Sequence, residues 1–598
     1  MNEESEIEKI MLNISKYYQY SQTLHHYTNL IAQTTNAKDK IAYYICLDGF
    51  ATRLSNYCLS IYDEILNHDL DFQKANSNRI YLRGCLESCL IINILLSRPQ
   101  LTQNFMNNLT YDVVRINNVY ANSSKSRFFL YREFYNITLE GKPQKRFGWL
   151  PRYKGKKALN MSDLLNYISF ENEDKRNYYE MLIRSADNFS HPSFYIPRAV
   201  LDKNKTSKHK ELDILTNKSG ILYECVHIIN HFIKEFLNPR VAQVLNEIIN
   251  NECLESTNKV SFIDVNDYIL GANSTLNHCD IANFFKKRIN IEKKIKLRNN
   301  VYPHQINSIS NKLLTLGKTT LRTKDSFLHR NIGLLLLDAR LRIDELFKAY
   351  YDFDLLSFYT QVRYVIEFVV TINILLNEDN ERNKIYYIHQ YIKGYQARNT
   401  IKNFVFKHSK IIAEQLNNIT DNDYEQYQKS IDLIVDYYKN VHNKEVDRNN
   451  AVRLNAWALY LKGLDNEYVL NLPSLLSFSV SNLMKNVNKE LDQYNLNINI
   501  TKYILGLYEE SCAYSHVTPY AWVNNIKLYK NRNSFREQFL FVLLLLLEIY
   551  KEIDESLIEN EKTVQKDLIE KISEEIFEYS EEIIVPFLNE YINENKKQ

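Results

Sequence analysis

Arginine, glutamate and histidine recur in this chain at matching positions. Arg83 and Glu87 stand four residues apart, as do Arg363 and Glu367, a spacing that puts both members of each pair on one face of a helix. Ile80, Leu82, Leu86 and Leu90 surround the first pair, so it is expected to face a bundle interior. An isolated buried charge costs on the order of several kcal/mol, so each pair must satisfy itself or engage a third polar group. His191 and His516, each directly after a serine, are the natural third groups. Together these residue types could bind a phosphate bidentately through Arg, exchange a proton through His and orient the imidazole through Glu. The commoner use of such pairs is a buried polar network that fixes how helices pack.

The elements that position them also come twice. Residues 83–96 match 363–376 without a gap at seven of fourteen positions. Trp149 with Lys154-Gly155 has the spacing of Trp457 with Lys462-Gly463, and Leu164-Leu165 and Leu475-Leu476 follow in the same order. Ser190-His191-Pro192 matches Ser515-His516-Val517 in turn. We therefore expect an all-α chain of two tandem, internally duplicated helical bundles that form a pseudo-dimer. Its expected divisions are an N-terminal helix (1–34), copy 1 (35–240), a basic linker with some helix (241–320), copy 2 (321–555) and an acidic C-terminal helix (556–598).

Arg184-Ser185-Ala186-Asp187-Asn188-Phe189-Ser190-His191, followed by Tyr195, resembles the Arg-x4-6-His signature of HEPN domains. These are helical bundles of bacterial toxin-antitoxin, abortive-infection and CRISPR-associated proteins, many of them metal-independent ribonucleases. The resemblance implies that Arg184 stabilises phosphate charge and that His191 is the general acid or base, with an RNA 2′-hydroxyl as nucleophile. Arg83 and Glu87 join them as candidate catalytic residues, with Arg363, Glu367 and His516 as the second-copy equivalents. The implied activity is ribonuclease or degenerate nuclease in antiphage defence. The alternative is a non-enzymatic sensor or adaptor that binds a protein partner, a phage or defence-system component, in the groove between the copies. The spacing also occurs at Arg298-His304, Arg322-His329 and Arg382-His389. Counting back from His516 puts Glu509 where Arg184 stands, so the second copy departs from the pattern.

Lys145, Arg146, Arg152, Lys154, Lys156 and Lys157 lie among Phe147, Trp149 and Tyr153. Cations interleaved with aromatic rings can hold phosphates and stack bases, so this segment is the expected nucleic-acid contact and RNA the expected nucleic acid. Because Trp457 recurs without so many cations, tryptophan is read as the structural part of the motif.

The whole composition sets the limits. Only 12 Gly and 10 Pro occur in 598 residues, too little turn chemistry for a strand-rich fold. With 74 basic and 72 acidic residues, no overall field attracts polyanions, so any such contact must be local. The eight cysteines form no Cys-x-x-Cys pair and read as reduced thiols of a cytoplasmic protein. The longest apolar run, Phe539–Leu547, is shorter than the roughly 20 residues that span a bilayer, so a buried helix and no membrane contact are expected. His227, His231 and Glu235 share a helix face but lack further ligands, and Gly317-Lys318-Thr319 has Lys312 where a phosphate loop needs glycine. No metal or cofactor is expected.

Overall fold

The computed structural model describes residues 13–25, 79–105, 147–188, 326–402, 421–464, 472–485 and 500–521 with short gaps. It also describes isolated positions between 47 and 58, 108 and 116, 226 and 245, 317 and 321, and 538 and 556. Among them the architecture is helical and contains no strand, and Tyr153 and Lys156 form an isolated bridge. The expected acidic helix, most of the linker and the first twelve residues lie outside the described residues.

The longer helices are α1 (Arg79–Ser97), α2 (Glu173–Asn188), α3 (Phe327–Tyr351), α4 (Leu355–Asn377), α5 (Asn380–Lys402), α6 (Asp421–His442), α7 (Leu472–Leu483) and α8 (Ile500–Ser515). A short 3-10 helix, Met161–Tyr167, follows the Trp149 segment. α4 is the central element. It packs on α3, α7 and α8, and it is apolar on nearly every face because those helices enclose it. By length and composition it could cross a bilayer, but 94% of its apolar window is buried within the protein. It starts where the Asp354 side chain accepts a hydrogen bond from the Ser357 N–H at 3.1 Å, so one free amide of the first turn is capped.

Along the stretch 539–553, Phe539, Val542, Leu545, Ile549 and Ile553 are helical and buried in the core around α4. Their three- and four-residue spacing is that of a helix facing a core on one side.

The N-terminal and C-terminal halves meet. α2 packs on α5, while α1 packs on α2 and on the 161–167 helix. Leu164 and Leu165 are buried, as are Leu475 and Leu476 on α7. Trp149 and Trp457 are also buried, each edge-on to an aromatic ring, Phe105 at 5.3 Å and Tyr386 at 4.7 Å.

Candidate functional site

α4 presents Arg363 and Glu367 on one face, and the predicted pairing forms: Arg363 Nε donates to Glu367 Oε1 at 3.1 Å. The Tyr508 hydroxyl of α8 donates to that same oxygen at 3.1 Å. One residue past the end of α8, His516 places its Nε2 3.2 Å from Arg363 Nη1. Its Nδ1 lies 3.2 Å from Glu87 Oε2 of α1. Four residues singled out in the sequence thus converge, and a carboxylate of the N-terminal half meets a histidine 429 residues away.

The chemistry of the donors fixes the proton positions. A guanidinium only donates, so His516 Nε2 must accept. The hydrogen then sits on Nδ1 and is donated to Glu87, which makes His516 a neutral imidazole held at both nitrogens. Only 6% of its surface is exposed. Burial opposes the charge of Arg363, but its acidic neighbours, the ion-paired Glu367 carboxylate among them, more than offset this and hold its pKa above the ordinary value. Burial likewise pushes the Tyr508 hydroxyl and the Cys512 thiol up, so both stay protonated at neutral pH.

Further contacts from the N-terminal half reach α8. Arg115 forms an ion pair with Glu509, which stands seven residues before His516 as Arg184 stands seven before His191. Arg53 donates from Nη2 to the Tyr514 carbonyl at 2.6 Å and so caps the C-terminal turn of α8. It reaches there across Gly84, where a Cβ atom would lie 2.5 Å from Arg53 Nε. That close approach is why the residue after Arg83 has no side chain. The serines near His516 serve their own helix: Ser511 Oγ donates to the Tyr508 carbonyl and Ser515 Oγ to the Ser511 carbonyl.

The other expected site residues are placed as follows. Arg83 is buried on α1, one turn before Glu87. Arg184 lies on α2, with its side chain outside the described residues, as are His191, Lys145 and Arg146. Arg152, Lys154, Lys156 and Lys157 are exposed together on a turn.

The Arg382-His389 match takes a different part. Both residues lie on α5 and both hold the Trp457 segment. Arg382 Nη1 donates to the carbonyls of Trp457 at 3.0 Å and Leu459 at 2.8 Å, and to the Tyr438 hydroxyl at 3.1 Å. His389 Nε2 lies 2.6 Å from the Arg453 carbonyl and donates to it. Burial and the nearby Lys393 lower the His389 pKa to about 3. The sequence signals of this clamp are an Arg and a His two turns apart on one helix, followed by a polar segment with a single Trp. Among the described residues, no group of three or more His, Cys, Asp or Glu is arranged to hold a metal.

Compared with family models, with curated proteins and with solved structures, the chain matches none of them.

Proposed function

We propose that this chain is a catalytically silent, HEPN-like helical interaction protein, built of two tandem bundles as a pseudo-dimer. In this reading Arg363, Glu367, His516 and Glu87 join the halves rather than cleave a substrate. The observation that carries it is the state of His516, buried with both ring nitrogens engaged. A general base needs a free lone pair within reach of the proton it takes. Here Arg363 occupies it, and little space is open to solvent. The pseudo-dimer is supported by the matched burial of the two Trp residues and the two Leu-Leu pairs, and by the contact of Glu87 with His516. A place in antiphage defence follows from the HEPN resemblance of Arg184 to His191.

The test is metal-free incubation of the purified protein with total RNA and transfer RNA. No cleavage is expected, and His516→Ala is expected to lower stability by about 3 kcal/mol, because Glu87 and Arg363 lose a buried partner. RNA cleavage by the wild type that disappears in folded Arg184→Ala and His191→Ala variants would overturn the silent reading and establish the nuclease.

A further inference from the structure

The exposed turn of the Trp149 segment is a built feature. Tyr153 and Lys156 exchange both backbone hydrogen bonds at 2.9 Å. The two residues between them, Lys154 at φ 48° and Gly155 at φ 78°, have the left-handed conformations of a tight two-residue hairpin turn. Below it the segment is fixed by the buried Phe147, Trp149, Leu150 and Ala158. The Tyr167 hydroxyl donates to the Pro151 carbonyl. The 161–167 helix that supplies Tyr167 is itself closed by a reciprocal cap between Asn160 and Asp163, both bonds at 3.0 Å.

This base carries Arg152, Lys154, Lys156 and Lys157, all exposed, and no acidic residue occurs between Glu140 and Asp163. At the centre is the Tyr153 ring, 39% exposed. It meets the Tyr167 ring in a T-shaped contact with centroids 5.9 Å apart, and the Lys154 ammonium lies 5.5 Å from its centroid. Arg98 adds a fifth cation, with its guanidinium 5.4 Å from the Tyr167 ring centre.

We infer that this turn docks single-stranded nucleic acid, with a base stacked on Tyr153 and the flanking phosphates paired with Arg152, Lys154, Lys156 and Lys157. A duplex keeps its bases stacked on each other and offers only phosphates, whereas an exposed ring ringed by cations uses both parts of an unpaired strand. An acidic peptide would satisfy the cations and leave the ring without a partner. The site shares no residue with the His516 joint, so it stands whether or not the chain cleaves RNA.

The experiment is fluorescence anisotropy of the full chain with a labelled single-stranded RNA 20-mer, its DNA equivalent, the matching duplex and polyglutamate, across a salt series. Single strands of either sugar are expected to bind more tightly than duplex or polyglutamate. Replacing all four turn cations by Ala should weaken binding by 100-fold or more at low salt and flatten the salt dependence by about 0.7 per lost phosphate contact. Tyr153→Ala should weaken single-strand binding about 10-fold with the salt slope unchanged, and Tyr153→Phe should restore it. The inference is overturned if no single strand binds, if the four-cation variant binds as the wild type does, if polyglutamate binds equally well, or if Tyr153→Ala has no effect. Unchanged melting temperatures confirm that the variants remain folded.

Discussion

Trp149 packs edge-on to Phe105 and Trp457 edge-on to Tyr386, yet the cations around the two anchors point opposite ways. Beside Trp457 they turn inward. Arg382, fully buried, fills the carbonyls of Trp457 and Leu459, stacks near Tyr437 and Tyr438 and pairs with Glu378. Lys393 Nζ donates to the Val452 carbonyl at 2.6 Å, and Tyr438 donates to that of Ala456. Beside Trp149 the cations turn outward from a turn whose backbone closes on itself. A loop that bonds its own peptide groups leaves its side chains available for a partner. A loop with open carbonyls draws neighbouring cations in to satisfy them, because buried acceptors left bare cost stability.

The hardest test of this contrast is Arg382→Ala. It uncovers two buried carbonyls and an unpaired Glu378, so a loss of about 3 kcal/mol in urea unfolding is expected, with oligonucleotide binding unchanged. Arg382→Lys should recover little of it, since a point charge cannot span the carbonyls as the planar guanidinium does. A loss within about 0.5 kcal/mol would mean that the Trp457 loop holds itself.

A smaller effect should come from pH. His389 stays neutral in the folded protein down to about pH 3, whereas the unfolded chain protonates it near its ordinary value of 6.5. Between those values the unfolded state binds more protons, so the contribution of this group is full above about 6.5 and declines as the pH falls toward 3. His389→Gln, which keeps a donor for the Arg453 carbonyl, should flatten the fall relative to wild type. Parallel stability curves for the two proteins would remove His389 from the explanation.

The smallest expected change is Gly155→Ala. No atom lies within 4 Å of the position its Cβ would take, so the substitution tests only the positive φ, at a cost of about 1 kcal/mol. Amide exchange at the Lys156 N–H should accelerate while the global melting temperature moves little. Unaltered exchange would show that the turn is held by its flanks rather than by its own geometry.

Much of the fold could be read from spacing. Arg363 and Glu367 pair at one helical turn because the helix sets that distance. The burial of both Trp residues was also legible, since an indole repeated without its polar surroundings is best explained by packing. The partners of Glu87, Arg53 and Arg115 were not. They lie 429, 461 and 394 residues away on α8 and His516, and no local period carries information over such distances. The Arg382-His389 spacing illustrates the same limit, because the signature it matches describes residues on a helix and says nothing of the loop packed against them.

Sequence alone therefore determined the helical class and the charged faces, set by contacts within a few turns of chain, and its recurring Trp marked the two anchors, whose partner rings Phe105 and Tyr386 are remote in sequence. Only the tertiary structure decided which charges became buried partners and which stayed exposed. That choice depends on the surfaces that pack over each residue: α8 closes over Arg363 and the Trp457 loop over Arg382, whereas the turn at Lys154 is left uncovered.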